Sequence, residues 1–279
     1  NDACVDGIAE QCSAFVNASS PHYLQTVFEE KLSAFEDLSQ EEREACLEAH
    51  TRLMDSCVLP AYERLSEGLL ALRGSGTNSG GLAGFEHGTD YYLYLLRSQV
   101  GTDASPEIEQ RLYRQLNTDT KEIQAIATEH PSLLLSFSAP ELNFSSPEHM
   151  LEDLETAITE DFPSLEQTSW EIKYVDEALE DFLSPAFYLT PPVDTNSPNS
   201  IYINNSSEMS SLELYTTLAH EGFPGHLYQT VFFSLTDAPY IRHLYAPGGY
   251  IEGWATYVES YAYEYAVRSN PEQADAARL

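Results

Sequence analysis

Residues 218–226 read Leu218-Ala219-His220-Glu221-Gly222-Phe223-Pro224-Gly225-His226 and place two histidines six positions apart. In the common zinc-binding motif H-E-x-x-H the step is four residues, so both imidazoles lie on one helix face. A six-residue step on an unbroken helix turns through about 600° and rises about 9 Å, which separates the two rings. The stretch therefore predicts one shared metal site only if the helix breaks between the histidines.

The pair Pro224-Gly225 supplies such a break. The ring of Pro224 would clash with the carbonyl four residues back, and continued helix there costs about 3 kcal/mol. Gly225 can adopt backbone angles that are closed to other residues. We expect the helix to break or bulge after Glu221 and to turn His226 back toward His220. The alternative is that Pro-Gly simply ends a helix and the two histidines are unrelated.

A second motif lies in residues 249–259, which read Gly-Tyr-Ile-Glu-Gly-Trp-Ala-Thr-Tyr-Val-Glu and predict the start of a long helix. Glu252 and Glu259 are seven residues apart, so they share a face but lie about 10.5 Å from each other. Catalytic zinc sites use three protein ligands and leave one position for water. Glu252 is the predicted third ligand, while Glu259 is expected to orient a ligand imidazole or to line the cleft. The alternative is that both carboxylates lie on a solvated helix face, but their apolar neighbours argue against it.

The two motifs resemble the bacterial family known as domain of unknown function 885, whose members look like zinc-dependent peptidases. Residues 91–96, 101–107, 185–188 and 201–205 also resemble segments of that family, so the likeness covers residues 80–268. It implies a mainly helical, gluzincin-like bundle with a short β hairpin or edge strand that guides an extended peptide near the metal helix. Family members continue past the second motif helix, and we therefore expect this chain to be a fragment.

Carried over position by position, the resemblance implies that Zn²⁺ is bound by His220, His226 and Glu252, and that Glu221 is the general base. The element E-G-W-A is also similar to the N-E-G-[FW]-A ligand helix of metallo-aminopeptidases, which favours Glu252 over Glu259. The chemistry fits this assignment, because zinc bound by two neutral imidazoles and one carboxylate lowers the pKa of its water to about 7 and polarises a carbonyl. The sequence singles out no oxyanion donor; its nearest candidates are Tyr250, Tyr202 and His243.

Three functions stay open at this point. The first is a zinc metallopeptidase that hydrolyses peptide bonds. The second is a module that binds metal without catalysis, since the family's later segment is missing here and the sequence singles out no oxyanion donor. The third is a zinc hydrolase that acts on a non-peptide amide or ester.

The amino-acid composition argues against nucleic acids and membranes as partners. The chain of 279 residues carries 45 acidic and 13 basic side chains, a formal net charge of −32. Such a surface repels nucleic acid phosphates and anionic membranes, so neither partner is expected. No apolar run approaches the roughly 18 residues of a membrane span. We expect a bacterial protein of the periplasm or the extracellular space, a location compatible with a lipid anchor in the full-length protein.

All four cysteines fall within the first 57 residues, at positions 4, 12, 46 and 57, and their spacing matches no zinc-finger pattern. We expect two disulfides, Cys4 with Cys57 and Cys12 with Cys46, in an antiparallel helix pair. The alternative is four buried thiols.

The remaining patterns are mostly helical. Ser39 and Glu42 form a capping-box pattern that begins a helix running to Arg73. The Gly- and Ser-rich residues 74–81 predict a loop between an N-terminal helical unit, 1–74, and a metallopeptidase-like domain, 82–279. Further helices are expected at 85–100, 106–129, 147–160 and 165–182, and short strands at 186–190 and 200–204. The second of these strands is the predicted edge strand for a substrate peptide.

Overall fold

The computed structural model of the protein describes residues 2–18, 20–103, 105–135, 140–165, 168–195, 197–245, 247–268 and 270–279. Backbone contacts divide the chain into two compact units, one made of residues 1–86 and 176–182 and the other of residues 87–175 and 183–279. The segment 176–182, which the sequence assigns to the second domain, thus groups with the first. Within the described ranges, no helix is both long and apolar enough to cross a membrane.

The first unit is helical, with α1 (Asp2–Val16), α2 (Tyr23–Ser33), α3 (Gln40–Leu53) and α4 (Leu59–Leu70). A π-helical turn, Met54–Val58, joins α3 to α4, and 3₁₀ turns occupy Gly81–Gly84 and Glu177–Phe182. The predicted capping box is confirmed, since the amide of Glu42 donates to Ser39 Oγ and the amide of Ser39 donates to Glu42 Oε2. The predicted start of this helix is therefore confirmed. The helix contains a π turn and ends at Leu70, three residues before the predicted end at Arg73.

The predicted disulfides are wrong. The ring of Phe15, at the end of α1, stacks on Tyr62 with 4.0 Å between centroids. Cys57 precedes Tyr62 by five residues, whereas Cys4 lies at the opposite end of α1, about 16 Å from Phe15 along the helix. A disulfide needs Cα atoms within about 7 Å. The helix that packs antiparallel to α1 is α4 rather than the one carrying Cys46, and all four cysteines are free thiols.

The second unit contains most of the helices. They are α5 (Gly88–Leu95), α6 (Ser105–Glu129), α7 (Pro131–Leu135), α8 (Pro147–Ala157), α9 (Ser211–Glu221), α10 (His226–Ser234), α11 (Tyr240–Leu244), α12 (Gly248–Ala266) and α13 (Pro271–Arg278). A π-helical turn, Leu96–Val100, extends α5, and a 3₁₀ turn, Ile158–Glu160, extends α8. The helices predicted at 85–100, 106–129 and 147–160 are confirmed within a few residues at each end.

A three-stranded sheet completes this unit, with β1 (Trp170–Tyr174), β2 (Ala186–Leu189) and β3 (Asn199–Ile203) in the order β1-β3-β2. Strand β3 pairs parallel with β1 and antiparallel with β2. The helix predicted at 165–182 is wrong, because Trp170-Glu171-Ile172-Lys173-Tyr174 alternates apolar and charged side chains, the period of a strand.

The strand predicted at 200–204 is not the edge strand of the sheet. The two predicted strands form the expected hairpin, but β3 is the central strand and its backbone pairs on both sides. The strand beside α9 that keeps an open edge is β2.

Helix α9 runs through the centre of the core. A capping box of Ser210 and Glu213 begins it. Its side chains Tyr215, Leu218 and Ala219 are fully buried against α8 and β3. The Tyr215 hydroxyl donates to an Asp153 oxygen at 2.6 Å. This packing fixes α9 so that its carboxyl end, which carries the first motif, lies beside β2.

Replacing Leu151, which is fully buried on α8 against α9, by alanine should lower the free energy of unfolding by about 2–5 kcal/mol. Urea denaturation followed by circular dichroism measures it. Leu116→Ala is the matched control, because that leucine lies exposed on α6 and its truncation should change stability by no more than about 0.5 kcal/mol. Equal destabilisation by both substitutions would contradict this assignment of the core.

Candidate metal centre

The predicted helix break is confirmed. Helix α9 ends at Glu221, and α10 begins at His226. Across the break the amide of Gly225 donates to the carbonyl of Ala219 at 2.9 Å. A Cβ atom at Gly225 would lie only 1.8 Å from the His220 carbonyl oxygen. Glycine is therefore required here by the close approach of two backbone segments.

The break brings the two histidines together. The ring centroids of His220 and His226 are 4.8 Å apart, and the ring planes are nearly perpendicular at 87°. Oxygen Oε2 of Glu252, on α12, lies 3.6 Å from His220 Nε2 and 3.7 Å from His226 Nε2. Two ligands of a tetrahedral zinc ion are about 3.3 Å apart when each bond is about 2.05 Å. The two observed nitrogen–oxygen distances thus differ from the separation of two zinc ligands by only a few tenths of an ångström.

Glu221 also reaches the histidine pair. Ligand atoms of His220, Glu221 and His226 lie within 4.8 Å of one another. One Glu221 oxygen accepts a hydrogen bond from the backbone amide of Tyr188 at 2.8 Å. Burial raises the pKa of Glu221, and the bond from Tyr188 only partly opposes that shift. A carboxyl group with a raised pKa is suited to proton transfer.

Glu259 lies behind the first histidine. Its Oε2 is 3.3 Å from His220 Nδ1, on the opposite side of the ring from Glu252. This hydrogen bond raises the pKa of His220 above its ordinary value, against the opposing effect of burial. A carboxylate on Nδ1 orients a ligand imidazole and increases its basicity. The geometry matches the role expected for Glu259.

The second histidine has a different environment. Burial lowers the pKa of His226, and the neighbouring His220 adds to that effect, so the ring is neutral near pH 7. Its Nδ1 is buried and has no hydrogen-bond partner among the described residues. Neutral imidazole is the form that binds zinc. The donor set, two imidazoles and a carboxylate with one ring held neutral by burial, therefore fits a zinc ion.

Trp254 has a structural role that the sequence did not reveal. Its indole Nε1 donates to the carbonyl of Pro224 at 2.8 Å. This bond ties α12 to the loop between the two histidines. The tryptophan of E-G-W-A thus holds the helix of Glu252 against the helix break.

A cavity of 520 Å³, termed the metal cavity, opens at this centre. It is lined by residues 184–188, by Thr217 and by the histidine and glutamate side chains described above. Tyr188 of β2 also lines the cavity, but it was not among the predicted site residues. Its contribution is the backbone amide that donates to Glu221, and no side-chain pattern in the sequence marks such a role.

None of the three candidate oxyanion donors is among the described residues that line the metal cavity. Tyr202 stacks on Phe187 with 5.2 Å between centroids and is absent from the described lining of the metal cavity. His243 and Tyr250 line a second cavity of 330 Å³. The structure thus gives Tyr202 a packing role and puts the other two candidates beside the centre.

Gly225→Ala should destabilise the fold by about 1–3 kcal/mol and reduce metal binding, because its Cβ would overlap the His220 carbonyl. Gly253→Ala is the matched control, since a Cβ there meets no atom within 4 Å and alanine favours helix. Denaturant unfolding and metal analysis of both variants measure these effects. Normal zinc content in Gly225→Ala would contradict the role of the break.

Comparisons with known proteins agree on the fold. The chain is similar to the crystal structure of the "putative lipoprotein from Colwellia psychrerythraea", with a TM-score of 0.80 and 22% sequence identity. The match covers 98% of this chain and 51% of that one, so the chain spans about half the length of the lipoprotein. No curated protein matches the sequence.

A family model described as "Bacterial protein of unknown function (DUF885)" matches residues 2–274, which is nearly the whole chain. The predicted resemblance to this family is confirmed. The chain belongs to the DUF885 family of bacterial proteins of unknown function.

Proposed function

We propose that this protein is a zinc-dependent peptidase in which His220, His226 and Glu252 bind the metal and Glu221 is the general base. One observation carries the proposal: a single Glu252 oxygen lies 3.6 and 3.7 Å from the Nε2 atoms of two histidines on different helices. If Glu252 merely lay on a solvated helix face, its carboxylate would not need to approach both histidines.

The donor set supports zinc in particular. Nitrogen and carboxylate donors suit zinc, and three protein ligands beside an open cavity are typical of catalytic zinc sites. When bound, zinc lowers the pKa of a coordinated water and polarises a carbonyl oxygen. Two neutral imidazoles and one carboxylate would leave the site with a net charge near +1.

Glu221 is placed for proton transfer. The Tyr188 amide holds one of its oxygens, which leaves the other to accept a proton from water and later pass it to the leaving amine. Burial raises the pKa of this carboxyl, which brings it closer to the pH at which a base is effective. The Tyr188 amide therefore fixes the orientation of the base.

The open edge of β2 favours a peptide over a small amide or ester. Backbone groups of an antiparallel strand alternate between the two sides of the strand. The amide of Tyr188 points to Glu221, away from β3, so the amide and carbonyl of Ala186 and the carbonyl of Tyr188 are the backbone groups that face the metal cavity. An extended peptide can pair with such an edge, and 520 Å³ is within the size range of ligand pockets.

The proposed location is the periplasm or the extracellular space. The similar solved structure is described as a lipoprotein, which supports an exported location for this chain as well. The cysteines add no support, because all four are free thiols.

Glu221→Gln should keep stoichiometric zinc and lose about 10²- to 10⁴-fold in peptide hydrolysis, because the amide cannot accept the proton. Glu252→Ala should lose zinc and activity together. Metal analysis by mass spectrometry and cleavage of a fluorogenic peptide library measure the two properties.

Two results would contradict this assignment. If Glu221→Gln loses zinc as completely as Glu252→Ala does, Glu221 is a ligand and not the base. If zinc binds at full occupancy but the wild-type protein cleaves no peptide, the peptidase function is wrong, and hydrolysis of other amides and esters then separates a zinc hydrolase from a module that binds metal without catalysis.

Glu259→Gln should weaken zinc binding about 10- to 100-fold, because His220 loses the carboxylate that orients it. The same change should lower the pKa of His220 in the metal-free protein, since that bond is the largest cause of its raised value. Affinity is measured well above the pKa of histidine, where protons do not compete for the ring, and the pKa by NMR titration.

Glu264→Gln is the control for this prediction, because Glu264 lies exposed on the same helix. In the wild-type protein, zinc should be released as pH falls through the raised pKa of His220, at a higher pH than for an ordinary histidine. An unchanged affinity in Glu259→Gln would overturn the orienting role.

A further inference from the structure

The second cavity borders the metal centre. Its lining includes Tyr188, His226 and Glu252, which also line the metal cavity. Its volume of 330 Å³ is at the lower end of the range for ligand pockets, enough for part of a peptide. A peptide lying along β2 and across the metal centre would therefore extend one end into it.

The charge of the second cavity differs from that of the rest of the chain. The formal net charge of the protein is −32, and the metal cavity is lined by three glutamates. Among the described residues that line the two cavities, Arg242 is the only lysine or arginine. In the second cavity the sole described carboxylate is Glu252, on the boundary with the metal cavity, where it faces the two histidines.

Arg242 has no ion-pair partner among the residues that the structure describes. Within the described ranges no carboxylate oxygen lies within 4.0 Å of its guanidinium, which is 5.9 Å from the centroid of Phe233. The imidazole of His243 is packed against the same ring at 4.9 Å. In a chain with more than three acidic side chains for each basic one, an unpaired arginine at a cavity wall is available for an anionic ligand.

A second donor in this cavity also lacks a partner. The side-chain nitrogen of Gln229 is buried and forms no hydrogen bond with the described residues. A buried donor without an acceptor costs about 1–3 kcal/mol. A carboxylate, which only accepts hydrogen bonds, is complementary to the guanidinium of Arg242, and Gln229 belongs to the lining of the same cavity.

We propose that the second cavity is a specificity subsite for a substrate residue bearing a carboxylate, bound by Arg242. The proposal rests on the proposed peptidase function and names its substrate class. The carboxylate has two possible sources, the carboxyl terminus of the peptide or the side chain of an aspartate or glutamate. In both cases this group occupies the second cavity while the scissile bond lies at the metal centre.

The test uses two matched substrate pairs and the zinc-loaded protein. The first pair is one neutral peptide with a free or an amidated carboxyl terminus. The second pair is an amidated peptide with glutamate or glutamine at one position, scanned along its length. We expect kcat/KM to be about 10- to 100-fold higher for the carboxylate-bearing member of one pair. The sensitive pair identifies the source of the carboxylate.

Arg242→Gln should lower kcat/KM for the carboxylate-bearing member to that of its uncharged partner, and circular dichroism checks that the variant is folded. Arg114→Gln is the matched control, because Arg114 lies exposed on α6 outside both cavities, and it should keep the full preference. Cleavage without preference in either pair, or a preference that survives Arg242→Gln, overturns the subsite alone. Failure of the wild-type protein to cleave any peptide overturns the peptidase function and the subsite with it.

Discussion

The close approach of the backbone at Gly225 to the end of α9 is the constraint on which the centre depends. With a hydrogen in place of a Cβ atom, this residue lies against the carbonyls of Ala219 and His220. A continuous helix would hold the imidazoles of His220 and His226 about 9 Å apart along its axis. Because the helix breaks after Glu221 and restarts at His226, the rings instead stand at right angles with centroids 4.8 Å apart.

Helix α12 complements this break with three side chains. Trp254 donates to the carbonyl of Pro224, Glu252 faces both Nε2 atoms, and Glu259 approaches the Nδ1 of His220. Glu252 and Glu259 are seven residues apart and share a helix face, whereas Trp254, two residues after Glu252, projects from another face. One rigid helix therefore fixes the loop, a predicted ligand and the carboxylate beside His220. The opposite wall is the edge of β2, where the Tyr188 amide holds Glu221. Three helices, α9, α10 and α12, and one strand, β2, thus define the centre.

The sequence predicted the helix break and the approach of the two histidines because the relevant constraints are local. The clash of Pro224 and the freedom of Gly225 are properties of neighbouring residues, and the seven-residue spacing of Glu252 and Glu259 fixes their separation on a helix. The capping box at Ser39 is local for the same reason. These features follow from sequence positions without knowledge of tertiary packing.

Predictions that required tertiary knowledge fared worse. Strand order decides which strand is the edge, and the pattern of β3 alone did not show that β1 pairs on its outer side. The cysteine pairs failed because α1 packs against α4, a choice that helix periodicity does not determine. Tyr188 was missed because its role belongs to the backbone, while Tyr202, one of 18 tyrosines, packs on Phe187.

The most direct test of the central claim is an anomalous difference map at the zinc edge from crystals of protein purified without chelator. We predict one strong peak about 2.0–2.1 Å from the Nε2 atoms of His220 and His226 and in contact with Glu252. The absence of a peak there, or a peak at the cysteines of the first unit, would contradict the account.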